Sequence, residues 1–412
     1  GSLFANTTGA KNIAIGKSAA AANTTGTRNI TIGWEAYNNS DTENDNIAIG
    51  YNAMTTNTAG GTRNLALGNY ALNSLTSGDK NVAVGYSALY AVTTGNNNVA
   101  FGDGALGANT TGAANVAVGT NALNAINTGD SNVAVGSDAL GANTTGANNT
   151  AVGTDSIGNN TTGARNTAVG MNSLNANTTA TDNTAVGYNS QLLNTTGASN
   201  TAIGIYSLRQ NTTGGNNVAV GQSALLNNTT ASHNIAVGYN SAYNNTTGTR
   251  NISIGPYAYE NSDTENDNLA IGYEALHTDT AGGTSNVAIG NYSMDTLTSG
   301  DYNTAVGMHS MGAITTGGSN TAMGRNAGVA ITTGAQNVAI GAYALDTVST
   351  TNDSVAVGYY AMTSGTSAGI TAVGSHALQS LTDGVGHTAV GFEALKTATE
   401  HSYSTAIGYK AL

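Results

Sequence analysis

Apolar and polar residues alternate along this chain in a pattern that returns about every 17 residues. A five-residue word recurs: Asn, then Ile, Val, Leu or Thr, then Ala, then an apolar residue, then Gly. With its glycine as anchor there are 24 copies, from Gly16 to Gly408. Of the 23 spacings, 20 are 17 residues, two are 18 (Gly50 to Gly68, Gly272 to Gly290) and one is 16 (Gly358 to Gly374). The third residue after each anchor is Ala or Ser, and the fourth is usually Leu or Met, as at Leu72, Leu123 and Met294. A polar turn follows, often Asn-Thr-Thr-Gly, as at Asn23 to Gly26.

The word predicts a short strand, because β-branched residues flank an alternating small one. The anchor glycine ends the strand at a corner where a side chain would be strained. A second short apolar segment follows, and Thr-Gly closes the coil. Two helices do not fit the period, since helical repeats need about 33 to 47 residues. The chain is therefore read as all-β: a single-stacked β-solenoid, or β-roll, of about 24 coils. No linker interrupts the series, so residues 1–412 read as one continuous array. The pattern runs to both ends uncapped, which points to a segment of a longer fibre.

Stacking accounts for the near-invariant positions. Each coil pairs with its neighbours about 4.8 Å away, so equivalent residues form rows along the axis. Asparagine opens the word in 20 copies, including Asn12, Asn29, Asn46, Asn64, Asn81, Asn98, Asn115 and Asn132. An amide ladder is expected there, each side chain bonding the next. The larger strand residues and the Leu after the anchor are expected to fill the core. The small Ala face is expected to lie outside, where a second chain could approach closely.

Composition narrows the function classes. Only 8% of residues are charged, and 11 basic against 23 acidic residues give a net charge of −12. That balance argues against nucleic-acid binding through phosphate contacts. There is no cysteine, hence no disulfide framework and no thiolate metal site. No apolar run approaches a membrane span, so no membrane insertion of this segment is expected.

The word Asn12-Ile13-Ala14-Ile15-Gly16-Lys17-Ser18-Ala19, repeated as Asn115-Val116-Ala117-Val118-Gly119-Thr120-Asn121-Ala122, resembles the head repeat of YadA-like trimeric autotransporter adhesins. Similar repeats also occur in bacteriophage tail-fibre-like proteins. The resemblance covers essentially the whole chain as a pattern, with a longer coil and an extended Asn-Thr-Thr-Gly turn. It implies a left-handed β-roll packed as a parallel homotrimer, outside the cell or on a virion. It also implies an adhesive role toward a host-cell surface glycan or protein receptor.

Departures from the period mark the candidate sites. Asn23 to Gly85 resembles Asn245 to Gly307, so a block of coils is duplicated. Both copies carry an acidic turn: Asp41, Glu43 and Asp45 in one, Asp263, Glu265 and Asp267 in the other. Alternating carboxylates suit a hard cation such as calcium, against the plainer reading of inherited duplication. Thr before the anchor and Ser after it tend to occur together, as at Thr150 and Ser156, and a bond between the two hydroxyls is expected.

Aromatics gather at one corner. Trp34, Tyr51, Tyr86, Tyr188, Tyr239, Tyr273, Tyr359 and Tyr409 stand one after the anchor, and Tyr70, Tyr206, Tyr257, Tyr292, Tyr343 and Tyr360 stand two after. An exposed stripe of this kind could bind glycans or protein, whereas the plainer reading has the rings covering backbone or packing between chains. The six histidines, His233, His277, His309, His376, His387 and His401, are not expected to align, and no catalytic constellation stands out, so no enzymatic role is expected. Four functions remain open: an adhesive fibre segment, a phage tail-fibre shaft or receptor-binding segment, an ice-binding solenoid built on the recurring Thr pairs, and a depolymerase shaft that cleaves host glycans.

Overall fold

The structure is a computed structural model that describes residues 1–278, 282–365, 368–382, 384–397 and 402–412. His401 lies outside the described residues. The chain forms two compact units, Gly1–Ile205 and Tyr206–Leu412. Among the described residues each contains twelve three-residue strands, β1 (Ile13–Ile15) to β12 (Thr201–Ile203) in the first and β13 (Val218–Val220) to β24 (Thr405–Ile407) in the second. Within each unit every strand pairs in parallel with the next in sequence, one coil further on. In the first unit Val99 lies beside Val116 and Val116 beside Val133. In the second, Val218 lies beside Ile235 and Ile235 beside Ile252. Each unit is therefore a parallel β-solenoid, with no helix among the described residues.

The anchor glycine is required by its neighbour in the next coil. Gly119 has φ +133°, and a Cβ there would lie 2.5 Å from the carbonyl oxygen of Gly136. The segment after the anchor is a stacked turn rather than a second strand. Its second and fourth residues are left-handed even without glycine, as at Asn121 (φ 55°) and Leu123 (φ 52°). Such a residue costs about 1–2 kcal/mol. Bonds between coils offset that cost: the N–H groups of Leu89 and Leu106 donate to the carbonyls of Ala105 and Ala122, both at 2.9 Å.

The faces of the strand are the reverse of the expectation. The central Ala points inward: Ala83, Ala100, Ala117 and Ala134 are wholly buried. The larger residues on either side face outward and are half-buried or exposed. The cross-section explains the inversion. A coil this short closes around the residues four and seven after the anchor, such as Leu123 and Ile126, and leaves room opposite them only for a methyl group. Leu72, Leu89, Leu106, Leu123 and Leu140 form the row at the first of these positions, wholly buried.

The asparagine row is present, but its bonds run mainly to backbone. Each Oδ1 accepts the backbone N–H of the Asn one coil on: Asn29 to Asn12, Asn46 to Asn29 and Asn64 to Asn46, all at 2.9 Å. The same contact links Asn81, Asn98, Asn115 and Asn132 to their predecessors at 2.8–3.0 Å. Each Nδ2 donates to a turn carbonyl, as Asn29 does to Glu43 at 2.8 Å and Asn81 to Gly95 at 2.8 Å. Amide-to-amide bonds add to this where Asn64 meets Asn46 at 3.3 Å and Asn98 meets Asn81 at 3.2 Å. One side chain thus joins three stretches of chain, which a simple stack of amides would not.

A second buried Asn row lies seven after the anchor. Asn160 donates to Asn143 Oδ1 at 2.9 Å and Asn177 to Asn160 Oδ1 at 2.7 Å. Elsewhere that position holds buried Leu75, Val92 or Ile126. The expected Thr–Ser bond takes another form. Ser156 Oγ bonds the Ala168 carbonyl at 3.1 Å and Ser173 Oγ at 3.3 Å. Ser156 points inward, whereas Thr150 stands on the outward face of its strand.

Candidate binding surface

The first residue after each anchor projects outward at the corner, and the second, held left-handed, projects beside it. Rings in successive coils consequently meet edge to face or stacked, the arrangements aromatic pairs favour. In the first unit Trp34 and Tyr51 have centroids 5.5 Å apart, Tyr51 and Tyr70 5.2 Å, and Tyr70 and Tyr86 5.8 Å. Tyr90, five after its anchor, joins at 6.5 Å from Tyr70. Lys17 Nζ stands 5.2 Å from the Trp34 ring and closes the row with a cation. Tyr188 is exposed on the same corner further along this unit.

The second unit carries two such rows. Tyr239, Tyr257, Tyr273 and Tyr292 follow one another at 5.2–5.8 Å, and His309 stacks on Tyr292 at 4.8 Å. Tyr343 and Tyr360 stack at 4.7 Å, with Tyr359 against both. The row continues through His376 and Phe392 to Tyr409, with Arg325 and Lys410 over its end rings. His309 and His376 both stand two after an anchor, so the expectation that no histidines share a position is corrected. Counting from the glycine would have found them. Hydrogen bonding to Glu274 and then burial push the Tyr273 hydroxyl up to about 12. Burial also raises Tyr70 and Tyr257. These phenols therefore keep their protons as hydrogen-bond donors at neutral pH.

The acidic turns do not gather their carboxylates. Asp41, Glu43 and Asp45 have separate roles, as do Asp263, Glu265 and Asp267. Glu43 occupies the slot of the turn glycine and folds back into the coil, 2% exposed. Its Oε2 accepts the N–H groups of Asp41 and Thr42 at 3.0 and 3.1 Å, and Oε1 that of Gly60 at 3.2 Å. Glu265 does the same with Asp263, Thr264 and Gly282. Asp45 is held by Arg28 through contacts of 2.5 and 2.8 Å, and Asp267 by Arg250 at 2.6 and 2.8 Å. Among the described residues no three carboxylate or imidazole groups converge to hold a metal. Backbone N–H groups thus hold Glu43 and Glu265, and guanidinium ions hold Asp45 and Asp267.

The same turns explain a covariation in the duplicated block. Tyr37 replaces the inner Leu, and Ser40 replaces the larger residue of the second row. The Tyr37 hydroxyl reaches Asn46 Nδ2 at 2.8 Å, and Tyr259 meets Asn268 at the same distance. Burial first, and then the Glu43 carboxylate, raise the Tyr37 hydroxyl well above its ordinary range.

No protein-family model matches the chain, and no curated protein matches it.

Proposed function

We propose that this chain is a structural and adhesive segment of an extracellular fibre, on a cell surface or a virion. In this reading parallel copies associate as a homotrimer and display the aromatic corners for attachment to a glycan or protein receptor. Coils of left-handed sense, as in the repeats the sequence resembles, belong to the same reading.

The observation that carries it is the outward strand face. Ile15 is 60% exposed, Phe101 57% and Met323 47%, and equivalent apolar residues repeat coil after coil in each unit. Soluble monomers rarely leave contiguous apolar patches beyond about 300–600 Å² uncovered. A second copy has the same apolar row at the same coil spacing, so self-association covers it in register. The strand residues that form this face are all uncharged. The aromatic corners lie on other positions of the coil and remain available for a receptor.

Light scattering of the purified chain tests the assembly: a particle of three 40.9 kDa chains is expected. A monomer with the outward face exposed would overturn it. Adhesion of the labelled chain to candidate host cells tests the attachment role, and absence of adhesion to every cell type would overturn that part.

A further inference from the structure

Beside the aromatic row of the first unit, the corner opens into a groove. Its first hollow, about 730 Å³, has Tyr70, Tyr86 and Tyr90 as walls, Gly104 and Gly107 as floor, and Asn124 at its far end. The hollow is shallow and open to solvent, which suits an extended chain better than an enclosed small molecule. A second hollow of about 260 Å³ adjoins it, sharing Asn124 and continuing past Asp138, Gly141, Asp155 and Gly158 to Asn175.

The groove exists because of what the sequence places five after the anchor. Other coils put Leu192, Arg209, Leu226 or Tyr243 there, whereas these put Gly107, Asn124, Gly141, Gly158 and Asn175. The glycines also set the amides. A Cβ on Gly107 would lie 2.6 Å from Asn124 Oδ1, and one on Gly158 would lie 2.8 Å from Asn175 Nδ2. Each amide therefore lies flat across a glycine one coil away, and Asn175 is fixed further by donating to the Asp155 carbonyl at 2.9 Å. The tyrosine walls are not spent on covering backbone: Tyr86 is 56% exposed and Tyr90 43%.

We infer that this groove binds an uncharged glycan chain, with one sugar ring against Tyr70, Tyr86 and Tyr90 and the next over Gly107 and Gly141 beside Asn124. The inference rests on the attachment reading above and names its ligand class. The lining decides the class. Ring faces suit the C–H face of a pyranose, while amides and carboxylates laid along the edge suit its hydroxyl groups. The first hollow has no charged side chain, and the charges in the second are Asp138 and Asp155. With a net charge of −12 on the chain, an acidic polysaccharide would be repelled.

Affinity electrophoresis of the full chain through gels containing a soluble glucan, mannan or galactan, with alginate as the acidic control, tests this. Retardation by at least one neutral polymer and not by alginate is expected. Y86A and Y90A should each weaken it about tenfold, while Y302A, at an exposed tyrosine of the other unit that belongs to neither aromatic row, should leave it unchanged. Both changed residues are exposed, and unaltered circular dichroism will confirm that their coils remain folded. Retardation that ignores Y86A and Y90A, or that is stronger in alginate, would overturn the assignment of the groove. So would a chain that adheres to cells yet migrates freely in every gel, and that result would leave the attachment reading standing. Loss of cell adhesion with retardation intact would reject attachment and keep the groove.

Discussion

Removing one rung of the asparagine row should cost an amount that depends on its neighbour in the second row. Asn81 Oδ1 accepts the N–H of Asn98 at 3.0 Å, and its Nδ2 donates to the Gly95 carbonyl at 2.8 Å. The second-row residue of that coil is Val92, which offers Gly95 no donor. In Asn81→Ala the Asn98 N–H and the Gly95 carbonyl both lose their amide partner, at about 1–3 kcal/mol each. A total near 4 kcal/mol is expected. Asn98→Ala removes less. Gly112 accepts from Asn98 at 2.8 Å but also from Asn109 at 3.0 Å, so its carbonyl stays bonded. That variant should be milder by about 1–2 kcal/mol. Amide hydrogen exchange reads the difference locally. Exchange at Asn98 should accelerate about 100-fold to 1,000-fold in Asn81→Ala, and exchange at Asn115 about 10-fold to 100-fold in Asn98→Ala. Equal effects, or effects below tenfold in both, would refute the bonding scheme.

Three further outcomes follow from the same geometry. Gly119→Ala should prevent its coil from closing, because the methyl group would meet the Gly136 carbonyl, whereas Gly312→Ala, outside the left-handed region and with nothing nearer than 3.4 Å to the new Cβ, should lower the melting temperature only slightly. Calcium at millimolar concentration should leave the melting temperature unchanged, since Glu43 and Glu265 are held by backbone N–H groups; a rise that disappears in Glu43→Gln would contradict this. The hydrogen bonds from Arg28, Arg165 and Arg250 hold Asp45, Asp182 and Asp267 below the usual carboxylate range. A depressed folded value means their stabilisation is present above the unfolded pKa, about 3.9, and is lost as pH falls through the folded one. All three pairs are exposed, so a small drop in melting temperature below about pH 4 is expected, and it should be absent when the three aspartates are changed to Asn.

The period and the first Asn row were legible because a stacked coil repeats its constraints. Any residue that must bond its equivalent one coil away can scarcely vary, and Asn12 to Asn337 record that directly. The orientation of the strand was not legible. Size alone suggests that Val116 and Val118 lie inside and Ala117 outside. Only the closed cross-section, already filled by Leu123 and Ile126, shows that the methyl group is the side that fits. The second row escaped notice because Asn109, Leu75 and Ile126 all satisfy it, so no single residue type marks it. Glu43 looked like a cation ligand until its slot was recognised as that of the turn glycine, where a carboxylate can reach back to three N–H groups. The groove was hidden for a related reason. It is made by the absence of side chains at Gly107, Gly141 and Gly158, and a sequence rich in glycine does not advertise which of them open a surface.

Equivalent residues of successive coils lie side by side, with Ala inward and its neighbours outward. The chain contains no cysteine, so engineered pairs report this without interference. Val99 and Val116 are register partners on the outward face, at a coil spacing of about 4.8 Å that falls within the reach of a disulfide. Mild oxidation of V99C/V116C should give an intramolecular disulfide, identified by mass spectrometry, while V99C/A117C, whose thiols face opposite ways, should stay reduced. A disulfide in the second pair and none in the first would contradict the fold on which every conclusion above is built.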